Sequence, residues 1–254
     1  MADAARNPVA TRRVRIATYN VHSCVGTDGR RDPERIARVI DELRADVVAL
    51  QEMTYAADLA IETRSPVVLP VVEKYEHVLG PTHVRADGQF GNVVLSRFPI
   101  RNLSRIDLSE KRREPRGALH VVLDAFGSEL HVIATHLGLH PRERRLQIAQ
   151  ILARARELAS ESFAVIGDFN DWLPGRSLVR VLDEVVGSAG APKSFPSRCP
   201  MLALDRLWVH PRGSVLSIQT HRSELARRAS DHLPVVAEFE VEVVATSTLV
   251  QAAG

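Results

Sequence analysis

Short runs of Val, Ile and Leu recur along the chain between polar stretches, and two longer stretches repeat apolar residues every three or four positions. The short runs predict strands at Val14–Tyr19, Val47–Leu50, Gly91–Ser96, Ala118–Leu123, Leu130–Thr135, Phe163–Ile166, Arg206–Val209, Val215–Thr220 and Val235–Phe239, since continuous branched apolar runs suit strands covered on both faces. The helical spacing predicts Pro33–Arg44, with Ile36, Val39, Ile40 and Leu43 on one face, and Pro141–Ala159, with Leu146, Ile148, Ile151, Leu152, Ala155 and Leu158. Asp32 is placed to cap the first helix and Pro33 to open it. A third helix is expected over Ser177–Val186. Strands outnumber helices and no break in composition divides the chain. One α/β domain over residues 1–254 with mixed sheets is the simplest architecture, with loose ends at about 1–12 and 243–254.

The polar residues capable of chemistry fall at the ends of these runs. Asn20 and His22 follow Val14–Tyr19, and Gln51 and Glu52 follow Val47–Leu50. Arg97 follows Val93–Ser96, Thr135 and His136 follow Leu130–Ala134, and Asp168 and Asn170 follow Phe163–Ile166. Asp231 and His232 come just before Val235–Phe239. Strand ends of an α/β sheet share an edge where ligands bind, so groups distant in sequence can meet there. Each has an ordinary explanation alone: a turn asparagine, a solvated glutamate, a surface histidine, an Asx-turn at Gly167–Asn170. Their joint order carries the case.

Composition changes this picture little. Hydrophobic residues make up 45% and charged residues 25%, an ordinary globular balance with material for a sizeable core. The net charge of +2 neither requires nor excludes a nucleic-acid partner. The basic residues are almost all Arg, which suits bidentate phosphate contacts but is also what a GC-rich genome encodes. Cys24 and Cys199 are too few for a disulfide framework and are expected as free thiols. Residues 1–13 lack the apolar core of a signal peptide and no run approaches a membrane span. A cytoplasmic protein with no obligate protein partner is expected.

Phosphoester hydrolysis needs charge neutralisation, an oriented water and hydrogen bonds to the phosphoryl oxygens. Glu52 suits Mg²⁺, a hard ion that takes oxygen ligands and needs only one or two carboxylates; Zn²⁺ fits less well without a Cys/His cluster. Asp168 is suited to orient and deprotonate water, and Asn170, two residues on, to donate to a phosphoryl oxygen. Asp205 is the candidate carboxylate partner that would keep His232 protonated.

The matching stretches are Ala17–Val21, Leu50–Glu52, Gly91–Pro99, Ala134–Leu137, Gly167–Asn170, Leu204–Leu207 and Ser230–Val235. In this order they resemble the endonuclease/exonuclease/phosphatase superfamily, which includes pancreatic deoxyribonuclease, AP endonucleases, bacterial sphingomyelinases and inositol polyphosphate 5-phosphatases. The resemblance spans about residues 14 to 240. Tyr19–His22, Gly26, Asp28–Arg30 and the helix with Arg35 and Ile36 look most like its small bacterial stand-alone members. It implies a four-layered α/β sandwich, two facing mixed β-sheets flanked by helices. It implies Glu52 as the principal Mg²⁺ ligand (Mn²⁺ as a substitute), with Asn20 and Asp231 near the metal or its waters. It implies Asp168 as the activator of water, Asn170 as a phosphate holder and His232, paired with Asp205, as transition-state stabiliser. His136 matches the leaving-group histidine of the deoxyribonuclease and sphingomyelinase branches, and Arg116 a phosphate contact. Arg97, Asn92 and Trp172 complete the expected substrate contacts, whereas Phe169 and Trp208 are expected in the core.

Three functions compete. A Mg²⁺-dependent phosphodiesterase on nucleic acid is supported by Arg97, Arg101, Arg105, Arg112, Arg113 and Arg116, and opposed by aromatics at only 5% of residues. A phosphatase or phosphodiesterase on a lipid head group or small phosphorylated metabolite is supported by the form of the His136 stretch; the apolar stretch Ser65–Val72 is short for membrane insertion and is expected as a buried element edge. An inactive binding module is the remote alternative, since every expected catalytic position is filled.

Overall fold

The computed structural model describes residues 10–55, 74–85, 88–172, 178–187 and 190–243. Ser65–Val72 lies outside the described residues. Among these residues, eleven strands and four α-helices follow the order β1 (Ala10–Asn20), α1 (Pro33–Leu43), β2 (Val47–Tyr55), β3 (Glu76–Arg85), β4 (Gly88–Ser96), β5 (Ile100–Asp107), β6 (Gly117–Ala125), β7 (Ser128–His136), α2 (Pro141–Glu157), β8 (Ser162–Asp168), α3 (Arg180–Val185), β9 (Asp205–His210), β10 (Val215–Thr220), α4 (Glu224–Ala229) and β11 (Val235–Val243). Six strands form one sheet in the order β10-β11-β1-β2-β4-β3, and five form a second in the order β5-β6-β7-β8-β9. Both are mixed: β1 runs parallel to β2 and β7 parallel to β8, and their other neighbours are antiparallel.

Two-fold side-chain alternation sorts the central strands between two cores. Ile16, Val47, Ala49, Val132, Ala134, Ala164 and Ile166 fill the space between the sheets. Their chain neighbours face outward: Ala17, Val48 and Leu50 pack against Ile36, Val39, Ile40 and Leu43 of α1 and Ala226 of α4. On the far side, Ile133 and Val165 pack against Ile148, Ile151 and Ala155 of α2 and Leu182 of α3. The result is helix, sheet, sheet, helix, the four-layered sandwich expected. Asp32 caps α1, its side chain accepting from Arg35 N at 2.9 Å, with Pro33 in the first turn. Phe169 and Trp208 are core residues meeting edge to face, with ring centroids 4.7 Å apart. Both cysteines are free.

Several expectations need correction. β1 begins at Ala10 and pairs with β11 through Val243, so those residues belong to the sheet rather than to loose ends. β3 and β5 had no counterpart in the apolar pattern, because among the described residues each lies at a sheet edge with one flank unpaired, and most residues of each are only partly buried or exposed. α3 is shorter than expected, and Ser177 lies outside the described residues. In α2, Leu146 is 50% exposed while Glu143, Arg144 and Gln147 are buried. That end of the helix abuts loops whose backbone groups need polar partners: Gln147 accepts from Gly138 N at 2.9 Å and donates to Leu108 O at 3.0 Å.

Under α2, Arg154 donates from Nε to His120 Nδ1 at 3.2 Å, and His120 Nε2 lies 3.0 Å from His131 Nδ1. The guanidinium fixes the tautomer of His120, so its Nε2–H is the donor to His131. Burial first, then Arg154 and His131, push the His120 pKa down from 6.5 to about 4. The unfolded chain therefore takes up this proton before the native one does, and the linked stability is lost as pH falls from about 6.5 towards 4. Chemical denaturation between pH 7 and 4.5 is expected to show a shallower loss of stability for His120→Gln than for the wild type. Parallel curves would remove His120 from the account.

Candidate active site

The two parallel pairs bring these residues together. β1 ends at Asn20, which pairs with Gln51 just before Glu52 in the middle of β2, and β7 and β8 end at His136 and Asp168, which pair in register. The antiparallel neighbours begin there: Asp205 opens β9 opposite Asp168, and the segment Ser230–Pro234 leads into β11, whose Val235 pairs with Thr18. The β2–β4 ladder breaks between Leu50 and Met53, a bulge in which Glu52 takes a left-handed φ of 57°. A bulge re-aims a side chain, and an unusual backbone held by its neighbours is a common mark of a functional position. Gly167 is needed for a different reason: at φ 148° a Cβ there would meet Thr135 O at 1.9 Å, so only glycine lets β8 run this close to β7.

The side chains form one knot that bridges the two sheets. Asn20 Nδ2 donates to Glu52 Oε1 at 2.9 Å and to Asp168 Oδ2 at 3.0 Å. His136 Nε2 stands 3.7 Å from Asp168 Oδ2 and 4.0 Å from Glu52 Oε1. Asn170 Nδ2 donates to Leu137 O at 2.9 Å and lies 3.2 Å from His136 Nε2, while its backbone N–H donates to Asp168 Oδ1 at 2.9 Å. His232 Nδ1 lies 2.8 Å from Asp205 Oδ2, and its Nε2 reaches to 3.8 Å from Asp168 Oδ2.

The two histidines sit in opposite electrostatic states. Burial lowers His136, and the charges of Arg116 and His232 reinforce it against Asp168, down to about 3; the ring is neutral near pH 7. Burial also opposes charge on His232, but Asp205, Asp168, the Asp205 hydrogen bond and Asp231 outweigh it and push its pKa up to about 10. His232 is thus an imidazolium held by Asp205, suited to an anionic oxygen. Asp168, Asp205 and His232 also lie close enough to suggest a metal trio, but a protonated imidazole has no lone pair to give. The carboxylate of Glu52 has the oxygen donors that fit a hard divalent ion, and it shares the Asn20 amide with Asp168, with neutral His136 close to both.

The family model described as the Endonuclease/Exonuclease/phosphatase family matches residues 17–232. The chain belongs to the endonuclease/exonuclease/phosphatase family. Members of this family are phosphoester hydrolases, and the chain is an enzyme of that class. It is 32% identical to protein YbhP of Escherichia coli strain K12, over 89% of this chain and 96% of that one. The structure of an endonuclease/exonuclease/phosphatase from Beutenbergia cavernae is similar with a TM-score of 0.72 at 24% identity, over 91% of this chain and 72% of that one. A mannosyl-6-phosphatase from Bacteroides thetaiotaomicron shares the fold with a TM-score of 0.65 at 17% identity, over 90% of this chain and 99% of that one.

The family fold brings together Asn20, Glu52, His136, Asp168, Asn170, Asp205 and His232, as the order of their segments suggested. Asp231 is adjacent but outside the knot: its Oδ1 is 3.7 Å from His22 Nδ1 and 3.3 Å from Ser230 Oγ, which donates to it. Asn92 sits on β4 opposite the Glu52 bulge and donates to Gly117 O at 2.9 Å. Arg116 precedes β6 at the same edge and donates to Glu114 Oε2 at 2.8 Å. Trp172, 51% exposed, stands at the rim after β8. Arg97 is the correction. β4 is antiparallel to β2, so its C-terminal end, where Ser96 pairs with Val47, points away from the site; Arg97 N–H donates to Asp46 O there, and its guanidinium stacks near Tyr75. Arg101, paired with Asp124, is engaged elsewhere too. Asp28 likewise serves structure, holding Arg35 of α1 at 2.9 Å. Sequence reasoning missed Ser194, which donates to Asp205 Oδ2 at 2.5 Å, and Phe195, whose ring centroid lies 4.8 Å from that of His232. They come from a loop with no apolar or charged pattern to mark it.

Proposed function

We propose that the enzyme hydrolyses a phosphodiester with the help of a divalent cation, Mg²⁺ by preference and Mn²⁺ as a substitute. The observation that carries this is the shared Asn20 amide, which gathers Glu52 and Asp168 beside both imidazoles. Glu52 would hold the cation, with Asn20 and Asp231 contacting its waters; when bound, the cation supplies charge neutralisation to the phosphoryl oxygens. Asp168 orients a water and takes its proton as the water oxygen bonds to phosphorus and the bond to the leaving oxygen breaks. Asn170 and the His232 cation hold the non-bridging oxygens, and Asp205, fixed by Ser194, keeps His232 charged and aimed. His136 takes the leaving-group side. Trp172 at the rim is placed to touch the substrate.

A second reading, a phosphatase acting on a small phosphorylated metabolite, is favoured by the fold shared with the mannosyl-6-phosphatase. Hydrolysis of bis-p-nitrophenyl phosphate with Mg²⁺, abolished by EDTA, tests the first; turnover confined to sugar monoesters would establish the second in its place. Glu52→Gln is expected to move the midpoint of the Mg²⁺ titration at least about tenfold upward, the scale on which altering a metal site's ligand shell weakens affinity. An unchanged titration curve would place the metal elsewhere.

A further inference from the structure

The pair His232–Asp205 spans the two sheets. Asp205 opens β9 of the five-stranded sheet, and His232 leads into β11 of the six-stranded one. Its geometry therefore depends on what joins the sheets at this end. The segment Ser194–Ser197, in the connection into β9, lies along Ser230–Leu233 and bonds the backbone on both sides of His232. Leu233 N donates to Ser194 O at 2.9 Å, and Ser197 N donates to Asp231 O at 2.6 Å. Between these two bonds the ring of Phe195 meets that of His232, with centroids 4.8 Å apart. The Ser194 hydroxyl holds the other member of the pair, donating to Asp205 Oδ2 at 2.5 Å. The strap is itself braced, since Phe195 N donates to Leu202 O at 3.1 Å and Leu202 N to Phe195 O at 2.8 Å.

Ser197 is the far anchor of this strap and is fully buried. Its hydroxyl donates to Ser230 O at 2.7 Å and lies 3.2 Å from Arg227 O. Carbonyls at the end of a helix such as α4 lack internal donors, so a capping role alone would account for the hydroxyl. The amide gives Ser197 a second role. With its two bonds it holds Ser230 and Asp231, the two residues immediately before His232. Ser230 is tied in turn to the carboxylate side of the site. Its own hydroxyl donates to Asn20 O at 2.8 Å, and the Asn20 amide gathers Glu52 and Asp168. Ser197 thus stands at the joint between His232 and the carboxylates. Without its hydroxyl, the buried Ser230 carbonyl loses its donor and the segment is free to shift. A shift of about 1 Å in a reacting group can cost about 10²-fold in rate.

We propose that Ser197 is a positioning residue of this enzyme, which acts through the strap Ser194–Ser197 to hold His232 in place beside Asp168 without touching the substrate. The inference rests on the phosphoester-hydrolase reading and adds to it a residue outside the knot.

A double-mutant cycle separates positioning from capping. Ser197→Ala, assayed on bis-p-nitrophenyl phosphate with Mg²⁺ well below its melting temperature, is expected to lower kcat about tenfold, inside the range that misplacement spans, with the Mg²⁺ midpoint unmoved. In a His232→Gln background the same substitution is expected to change kcat by less than about twofold, because residues that act as a unit are not additive. Should Ser197→Ala fail to fold, Ser197→Cys takes its place, since a thiol is a weak donor. Proton NMR supplies a readout that needs no substrate. The His232 Nδ1 proton held by Asp205, identified by its loss in His232→Gln, is expected to broaden or exchange away in the Ser197 variant. Equal losses of kcat in both backgrounds, no loss in either, or an unaltered proton resonance overturns the proposal and leaves Ser197 as a cap of α4. Failure of the wild type to hydrolyse any phosphoester would instead sink the functional reading, and the proton resonance would still decide the strap.

Discussion

Replacing Asp168 by Asn is expected to lower kcat by at least about 10²-fold, the lower bound usual for loss of a general base, with the fold retained. The carboxylate accepts from Asn170 N through Oδ1 and from Asn20 Nδ2 through Oδ2. An amide keeps one of those acceptors and turns the other into a donor, so Asn20 must rotate or lose a bond, a local cost that melting would register as modest. What the amide cannot do is take a proton from water. The metal titration separates the two roles open to this residue. As a base, Asp168 sets the ceiling of the curve and leaves its midpoint in place; as a principal metal ligand, it would shift the midpoint as Glu52→Gln is expected to do. A variant that retains wild-type kcat would falsify the assignment of the base.

Much of this site was visible before the fold. Asn20, His136 and Asp168 end runs such as Leu130–Thr135 and Phe163–Ile166, whose residues alternate between two cores and so read as uninterrupted apolar strands. A segment buried on both faces carries its own label. The edge strands β3 and β5 carry none, since water on one flank allows Glu76, His77, Arg101 and Asn102 within them. Strand direction was equally hidden. Arg97 ends an apolar run just as His136 does, yet β4 runs against β2 and delivers Arg97 to the opposite end of the sheet. Ser194 was illegible because its importance comes from a contact with Asp205 across a loop, not from any local pattern. The bulge at Glu52 is a property of two paired strands, so no single segment could announce it.

The start of α2 departs from the apolar stripe, burying Arg144 where Leu146 is exposed, and this departure leads to the largest expected loss of stability. A helix with apolar residues on one stripe suggests that Arg144 is solvated, yet it is 1% exposed. Its Nη1 donates to Leu139 O at 2.6 Å and Gly138 O at 3.3 Å, and its Nη2 lies 3.7 Å from Asp171 Oδ1. It thus ties the loop after His136 to the residue after Asn170. Arg144→Met is expected to cost about 3–5 kcal/mol in a denaturation experiment, the range for removing one partner of a buried ion pair, because Asp171 and two carbonyls lose their cation together. The double variant Arg144→Met/Asp171→Leu is expected to recover part of that loss, since part of the penalty comes from taking the cation away from a buried carboxylate. A single variant as stable as the wild type would mean that Arg206, which donates to Asp171 O at 2.9 Å, already holds this loop. Because both tethered loops lead directly from His136 and Asn170, to which the proposed mechanism gives roles, the single variant should also lose kcat under conditions where it remains folded, with the Mg²⁺ midpoint unmoved, which separates a positioning arginine from one that merely stabilises the fold.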